Sequence, residues 1–168
     1  MNEQRCLDTG ENDMVEPERL AKADARETTQ AASAEAALPR LLVIDDDYLH
    51  RKIICRVAAK AGYAPAGAAT YEEAAKLALE SAFDCISLDL SLGQHVGLEM
   101  LQYFRGIGSK VPIVIISGSD QATVNDTLRA AKPLNLDIRE TVLKPVDLEL
   151  LRYTFERIRR QHHTPAAA

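Results

Sequence analysis

The sequence predicts an α/β fold, in which a doubly wound, five-stranded parallel β-sheet carries helices on both faces. Two observations predict it. From residue 40 onward, five short apolar segments alternate with five longer segments whose apolar residues recur at helical spacing. The first short segment, residues 41–44, is apolar throughout, as is typical of a parallel strand that is buried on both faces.

Three strands and two helices are predicted in the first half of this region. The strands cover residues 41–44, 63–68 and 85–88. The first helix covers residues 48–61 and ends at Gly62. Its predicted apolar face consists of Leu49, Ile53, Ile54 and Val57. Thr70 caps the second helix, with Glu73 as its capping-box partner three residues later.

Three helices and two strands follow in the second half. A helix over residues 98–106 ends at Gly106, and the last two strands cover residues 111–116 and 138–143. Residues 121–132 form the helix between those strands, and residues 133–135 form an extra loop. The last helix covers residues 148–160, with an apolar side formed by Leu150, Leu151, Phe155 and Ile158.

The alternation of strands and helices restricts the topology. Right-handed crossovers leave only a few strand orders, and the flavodoxin-like order 2-1-3-4-5 is the commonest at this size. In such sheets, ligands bind beyond the carboxyl ends of the strands, at the switch point between strands 1 and 3. The residues that directly follow the strands are therefore the candidates for a functional site.

Composition divides the chain into three parts. Residues 1–38 are predicted to be an acidic, Ala-rich, disordered tail, because they contain too few large apolar residues to offset the entropy of ordering. Residues 39–160 form the folded domain, and residues 161–168 form a disordered C-terminal end. The tail holds nine acids and four bases, whereas residues 39–168 hold sixteen of each. This even balance argues against nucleic acid as a direct partner.

The sequence also argues against a membrane protein. No apolar run approaches the roughly 20 residues of a membrane-spanning helix, and the N-terminus lacks the apolar core of a signal peptide. The three cysteines are scattered and form no CxxC pair, so neither a zinc site nor a disulfide framework is indicated. We therefore expect a cytoplasmic protein with reduced thiols.

Polar residues follow four of the predicted strands. They are Asp45, Asp46 and Asp47 after strand 1, Asp89 after strand 3, Ser117 after strand 4, and Lys144 after strand 5. Crowded carboxylates repel one another unless a cation lies between them, and Mg²⁺ prefers such oxygen ligands. A lysine and a hydroxyl opposite them could hold a phosphoryl group, for which a carboxylate is the only good nucleophile at the centre.

Each of these residues alone has an ordinary structural explanation. An acidic run after a strand commonly caps the next helix, and Ser-Gly and Lys-Pro pairs are common in turns. The joint pattern is more specific, because a suitable residue type ends each of the four strands in the expected order.

Residues 40–160 resemble the receiver domain of bacterial response regulators. The resemblance rests on residues 41–47 (LLVIDDD), residues 83–92 (FDCISLDLSL), Gly97-Leu98-Glu99 at the start of the third helix, residues 112–118 (PIVIISG), and Leu143-Lys144-Pro145. It implies a phospho-accepting signalling switch rather than an enzyme in the ordinary sense.

The resemblance also assigns roles to individual residues. It implies that Asp46, Asp89 and the backbone carbonyl of Ser91 bind Mg²⁺ directly, and that Asp45 acts mainly through a metal-bound water. Asp89 would accept the phosphoryl group from a phosphohistidine, Lys144 would pair with its oxygens, and the Ser117 hydroxyl would turn inward to bind it. The Lys144–Pro145 peptide bond is expected to be cis.

Four features depart from the family pattern. Thr141 replaces the aromatic residue that often precedes the lysine by three positions, so the usual aromatic coupling is in doubt. Gly118 replaces the commoner Ala, and Gly93-Gln94-His95 replaces a proline-containing loop. We interpret His95 as a solvent-exposed loop residue rather than a metal ligand. The extra loop at residues 133–135 lies next to the helix and strand that normally contact output partners.

We therefore expect a single-domain response regulator, a monomer or weak dimer, which is phosphorylated on Asp89 by a histidine kinase or histidine phosphotransferase. It would signal by contact with an unknown output protein or through a phosphorelay. The alternative is a receiver-like adaptor that works without phosphorylation. A hydrolase of the haloacid-dehalogenase type is less consistent with the sequence, because it needs an acid two positions after the nucleophile, where Ser91 stands.

Overall fold

The computed structural model describes residues 38–92 and 95–162, except for the side chains of residues 92, 95 and 96. The strands of the main sheet and the helices alternate along the chain: β1 (Arg40–Ile44), α1 (Tyr48–Lys60), β2 (Ala64–Ala68), α2 (Tyr71–Glu80), β3 (Cys85–Leu88), α3 (Gly97–Gly106), β4 (Ile113–Ser117), α4 (Gln121–Ala131), β5 (Ile138–Leu143) and α5 (Leu148–His162). The predicted tail and residues 163–168 lie outside the described residues.

The five main strands form one parallel sheet in the order β2-β1-β3-β4-β5. The predicted doubly wound topology is therefore confirmed. Strand β1 lies between β2 and β3, next to the point where the strand order reverses. Leu42 of β1 is in register with Ala66 of β2 on one side and with Ile86 of β3 on the other. Helices α1 and α3, which follow β1 and β3, pack on opposite faces of the sheet, so the two connections diverge and leave a crevice above the carboxyl ends of these strands.

A separate hydrophobic core lies on each face of the sheet. One joins the sheet to α1 and α5, and its large residues include Leu41, Ile54, Val57, Val114, Leu151 and Phe155. The other joins the sheet to α2, α3 and α4, and its large residues include Leu42, Leu88, Met100, Phe104, Ile115 and Val124. The predicted helices on both faces are thereby confirmed.

Two residues predicted to face the core are exposed instead. Leu49 is 61% exposed and Leu150 is 55% exposed. In α1, the buried stripe consists of Ile54, Val57 and Ala58, and at about 3.6 residues per turn Leu49 lies well round the helix from Ile54. In α5, Thr154 completes the buried stripe, which leaves Leu150 on the flank.

The end of α5 also differs from the prediction. The helix continues to His162 rather than ending at Arg160, so residues 161 and 162 do not belong to a disordered end. Arg139 of β5 accounts for the extra residues, because its guanidinium donates to Gln161 Oε1 at 3.2 Å and lies 3.3 Å from His162 Nε2.

The other boundaries agree closely with those predicted. The predicted cap of α2 is confirmed, since Thr70 Oγ1 accepts from the Glu73 amide at 3.2 Å. The reciprocal bond is shifted by one residue, because Glu73 Oε2 accepts from the amide of Ala69 rather than that of Thr70, at 2.7 Å. The extra loop before β5 contains a short 3₁₀ helix, Lys132–Leu134, which Asn135 ends in the left-handed region at φ 52°. Among the described residues, no helix is long and apolar enough to cross a membrane.

Candidate functional site

The predicted site residues meet at the carboxyl ends of four strands. Asp45 directly follows β1, Asp89 directly follows β3, Ser117 is the last residue of β4, and Lys144 directly follows β5. Asp45, Asp89 and Ser117 are buried, with exposures of 1%, 4% and 0%. Three polar side chains that are this deeply buried need partners, and they find them within the same crevice.

Lys144 links the two buried carboxylates. Its Nζ lies 2.9 Å from Asp45 Oδ2 and 2.7 Å from Asp89 Oδ2. The third neighbour is His50 of α1, whose Nδ1 lies 3.2 Å from the same nitrogen. Since a lysine ammonium has three N–H donors and no acceptor, His50 Nδ1 is the acceptor of any hydrogen bond between these two nitrogens.

Burial and charge pull the pKa values of this group in opposite directions. Burial raises the pKa of Asp45 above its usual range, although the hydrogen bond and charge of Lys144 lower it in part. Burial alone would lower the pKa of Lys144, but its hydrogen bonds to Asp89 and Asp45 and the negative charges of these residues together outweigh burial, and the net result is a raised pKa. Lys144 therefore stays charged between the two carboxylates.

Three carboxylates in this crevice could hold a metal ion. One carboxylate oxygen each from Asp45, Asp46 and Asp89 lie within 4.8 Å of one another. Asp45 and Asp89 are buried whereas Asp46 is exposed, so a cation would enter the site from the solvent side. If all three are ionised, they and Lys144 together carry a net charge of −2, which a divalent cation would neutralise. The oxygen donors suit Mg²⁺.

Backbone amides fix the orientation of the two buried carboxylates. The Asp47 amide donates to Asp45 Oδ1, and the Ser91 amide donates to Asp89 Oδ1, each at 2.9 Å. In both residues, one oxygen is therefore held by the loop while the other contacts Lys144. Asp47 is also the N-cap of α1, since its Oδ1 accepts from the His50 amide at 2.8 Å. The acidic run thus serves both as a helix cap and as part of the site.

Ser117 lies beside this group but is held by the loop that follows it. Its Oγ accepts from the Ser119 amide at 3.1 Å, and its carbonyl accepts from the Lys144 amide at 2.8 Å. At the mouth of the crevice, the hydroxyl oxygens of Ser119 and Ser91 lie 3.1 Å apart. The Lys144–Pro145 bond is cis, as the resemblance implied.

The start of α3 is packed tightly against the segment that carries Asp89. The Gly97 amide donates to the Leu90 carbonyl at 2.9 Å. A Cβ atom added to Gly97 would lie 2.6 Å from the Leu90 Cα, which is closer than side chains approach a backbone. Glycine at this position therefore allows α3 to approach the residue after Asp89.

Three residues near the site were not predicted from the sequence. They are His50, Arg51 and Ser119, and each contacts the site through a hydrogen bond. A usable signal was present for the first two, because they lie in the first turn of α1, directly after the acidic run. The side chain of His95, which is predicted to be an exposed loop residue rather than a metal ligand, lies outside the described residues.

The residue at the position where the family often has an aromatic side chain, Thr141, lines a cavity. Thr141 is half-buried and lines a cavity of about 380 Å³ between β5 and α5. Tyr153 and Leu150 of α5 line the same cavity from the other side, and both are exposed. In this structure, the side of β5 that faces α5 is therefore not filled by an aromatic ring at residue 141.

Comparison with known proteins identifies the fold family. The family model described as the response regulator receiver domain matches residues 41–156. The chain belongs to this family. Receiver domains are signalling switches rather than enzymes in the ordinary sense, and they bind Mg²⁺ at an acidic pocket. Asp45, Asp46 and Asp89 form an acidic cluster in this chain.

Curated relatives of this receiver domain are larger proteins. The transcriptional regulatory protein ZraR of Escherichia coli K12 is 26% identical over 124 residues, which are 74% of this chain and 27% of ZraR. The Regulator of RpoS of the same organism is 26% identical over 114 residues, which are 67% of this chain and 32% of that protein. The chain thus spans about a quarter to a third of the length of these relatives.

Solved structures show the same fold at low sequence identity. The chemotaxis protein CheY4 of Vibrio cholerae matches with a TM-score of 0.63 and 23% identity, over 73% of this chain and 99% of CheY4. A response regulator of Colwellia psychrerythraea matches with a TM-score of 0.65 and 21% identity, over 74% and 99% of the two chains. The Thermotoga maritima response regulator TrrA, solved with Mg²⁺-BeF, matches with a TM-score of 0.60 and 21% identity, over 72% and 99%.

Proposed function

We propose that this receiver domain accepts a phosphoryl group on Asp89 from a phosphohistidine of a histidine kinase or histidine phosphotransferase. The observation that carries the proposal is the position of Asp89. Its carboxylate is 4% exposed, lies 2.7 Å from Lys144 Nζ, and belongs to the acidic group that could hold a divalent cation. A nucleophile with a metal-ion site and an ammonium beside it suits phosphoryl transfer.

Asp46, Asp89 and the backbone carbonyl of Ser91 would hold Mg²⁺ directly, and Asp45 would act mainly through a metal-bound water. When bound, Mg²⁺ would neutralise charge on the phosphoryl oxygens. The hydrogen bonds from backbone amides that fix the Asp45 and Asp89 side chains support this assignment, because each carboxylate already points into the crevice. Asp46 is exposed and suits the solvent side of the ion.

The transfer follows from the chemistry of the residues. A carboxylate oxygen of Asp89 attacks phosphorus, the new P–O bond forms, and the P–N bond of the phosphohistidine breaks. The electron pair of that bond returns to the imidazole nitrogen, and because the other ring nitrogen of the phosphohistidine carries a proton, the histidine leaves as a neutral imidazole. Lys144 then exchanges its contact with the Asp89 carboxylate for one with the phosphoryl oxygens, and its fixed positive charge stabilises the product.

Ser117 would complete the switch. Its hydroxyl accepts from the Ser119 amide in the present structure, and rotation of its side chain would let it donate to a phosphoryl oxygen instead. The rotation would break the hydrogen bond from the Ser119 amide to Ser117 Oγ and so release the loop after β4. Because Thr141 stands where an aromatic ring commonly follows this movement, we propose that the signal reaches the surface through another residue.

Output would occur by contact with a protein partner or through a phosphorelay, with the chain acting as a monomer or weak dimer. The curated relatives extend well beyond the matched region, so the partner of this chain is part of the proposal. The cytoplasmic location and the disordered tail stay predictions from the sequence.

Phosphorylation can be tested with a small donor that contains a P–N bond. We expect wild-type protein incubated with phosphoramidate and Mg²⁺ to gain the mass of one phosphoryl group, and chelation of Mg²⁺ to suppress this gain. Asp89→Asn should gain none. The matched control is Asp126→Asn on α4, which removes an exposed carboxylate remote from the crevice and should behave as the wild type does.

A wild-type protein that gains no phosphoryl group would overturn the proposal and favour the adaptor that works without phosphorylation. A gain that persists in Asp89→Asn would show that another residue accepts the group.

A further inference from the structure

Arg51 of α1 reaches back over the start of its own helix to the acidic loop. Its Nη1 donates to the Asp45 carbonyl at 2.6 Å and to the Asp46 carbonyl at 3.3 Å. These two carbonyls belong to the two residues whose carboxylates contribute to the acidic group. The guanidinium therefore contacts the backbone of the two residues that carry these carboxylates.

Gly67 of β2 lets the Arg51 side chain take this course. The arginine Cδ would lie 3.2 Å from a Cβ atom added at Gly67, and Cγ would lie 3.4 Å from it. The half-buried stem of Arg51 thus crosses β2 where that strand has no side chain. Tyr48 lies on another side, with its ring centre 5.8 Å from the guanidinium carbon. Helix α1, strand β2 and the acidic loop are thereby joined through one side chain.

We infer that Arg51 is a positioning residue for the metal site, and that it aims the Asp45 and Asp46 side chains by holding their backbone carbonyls. The inference rests on the proposed Mg²⁺ site. It assigns Arg51 no contact with the metal or the phosphoryl group. Partners that orient metal ligands typically change metal affinity by about 10- to 100-fold when they are removed.

The sign of the effect separates positioning from simple electrostatics. A positive charge near a cation site repels the cation, so its removal should tighten Mg²⁺ binding if charge alone matters. If Arg51 positions the carboxylates, its removal should weaken Mg²⁺ binding despite the lost repulsion. The two explanations therefore predict changes in opposite directions for the same substitution.

The test is a calorimetric titration of the full chain with Mg²⁺. We expect Arg51→Met, which keeps much of the stem but removes the donors and the charge, to weaken Mg²⁺ binding by about tenfold. Arg51→Lys keeps the charge but cannot span both carbonyls, and it should also weaken binding. The matched control is Lys52→Met, which removes the same charge one residue further on from a side chain whose described contacts are with Tyr48. It should change affinity by less than about twofold.

Gly67→Ala provides a test that leaves every charge in place. The added methyl group presses on the Arg51 stem, so we expect a smaller loss of Mg²⁺ affinity in the same direction. This variant and Arg51→Lys decide the question if Arg51→Met does not fold, as judged by circular dichroism.

Mg²⁺ binding by folded Arg51 variants that equals or exceeds that of the wild type would overturn the inference while leaving the proposed function intact. If the wild type itself binds no Mg²⁺, the proposed metal site fails first, and the inference fails with it.

Discussion

Lys144 lies 2.7 Å from Asp89, and the two side chains are 15% and 4% exposed. The contact joins the residue after β5 to the residue after β3, across the intervening strand β4. Asp45 shares the same ammonium at 2.9 Å. One ammonium is therefore shared by two buried carboxylates, and the stability of the metal-free protein should depend on it.

We predict that Lys144→Met destabilises the metal-free protein by about 2 kcal/mol, because it leaves two buried carboxylates without their shared donor. Urea unfolding with and without Mg²⁺ measures the effect. The deficit should shrink when Mg²⁺ is present, since the ion supplies the missing positive charge. The control Lys52→Met should change the free energy of unfolding by less than about 0.5 kcal/mol. A deficit that Mg²⁺ does not reduce would contradict a shared role of Lys144 and the ion.

The raised pKa of Asp45 predicts that Mg²⁺ affinity and the stability of the metal-free protein depend on pH in opposite directions. Protons and Mg²⁺ compete for this carboxylate, so Mg²⁺ affinity should fall on acidification, beginning at a higher pH than an ordinary aspartate would cause. For the metal-free fold the sign reverses. Because the folded-state pKa is raised, the contribution of Asp45 to stability is fully present below the unfolded value of 3.8, and it is lost as the pH rises through the folded pKa.

Two measurements over the same pH range check these signs: calorimetric titration with Mg²⁺ and urea unfolding without it. In Asp45→Asn, the part of the pH dependence that is due to residue 45 should be missing from both the Mg²⁺ affinity and the free energy of unfolding. If the Mg²⁺ affinity of the wild type stays constant as the pH falls to the ordinary pKa range of an aspartate, the raised pKa of Asp45 does not influence the site.

The close approach of Gly97 to Leu90 predicts that Gly97→Ala is harmful. The new methyl group would meet the Leu90 backbone, so we expect a loss of about 1–3 kcal/mol in unfolding free energy. Gly106→Ala is the matched control at the other end of α3. A Cβ atom there meets nothing within 4 Å, and Ala is the better helix former, so this variant should be neutral or slightly stabilising. Thermal unfolding of both variants distinguishes packing from a general effect of replacing glycine.

Much of the site could be predicted because parallel topology converts strand ends into neighbours. Asp45, Asp89, Ser117 and Lys144 are far apart in sequence, yet each ends or follows a strand, and the order of the sheet then brings them together. The type of each residue suggested its role, and the strand order supplied the proximity. No distance had to be known for that argument.

The contacts of α1 could not be predicted in the same way. The roles of His50 and Arg51 depend on where the first helical turn lies relative to β2 and β5, which the hydrophobic pattern leaves open. The same limit explains Leu49 and Leu150, since apolar residues on the flank of a helix satisfy the helical period without reaching the core. That Lys144 contacts Asp45 and Asp89 alike, rather than Asp89 alone, required the geometry of three strand ends.

The parallel pairing of every main strand also determines when the site can form as the chain folds. Parallel neighbours cannot be joined by a tight hairpin, so each pairing waits for a crossover helix, and such distant contacts slow folding. Asp45 and Lys144 are separated by 99 positions. On the ribosome, the acidic loop emerges long before its lysine, so a nascent or truncated chain would hold unbalanced carboxylates until β5 joins the sheet. The contact of Lys144 with both carboxylates is therefore acquired last, and only by a chain that has completed its sheet.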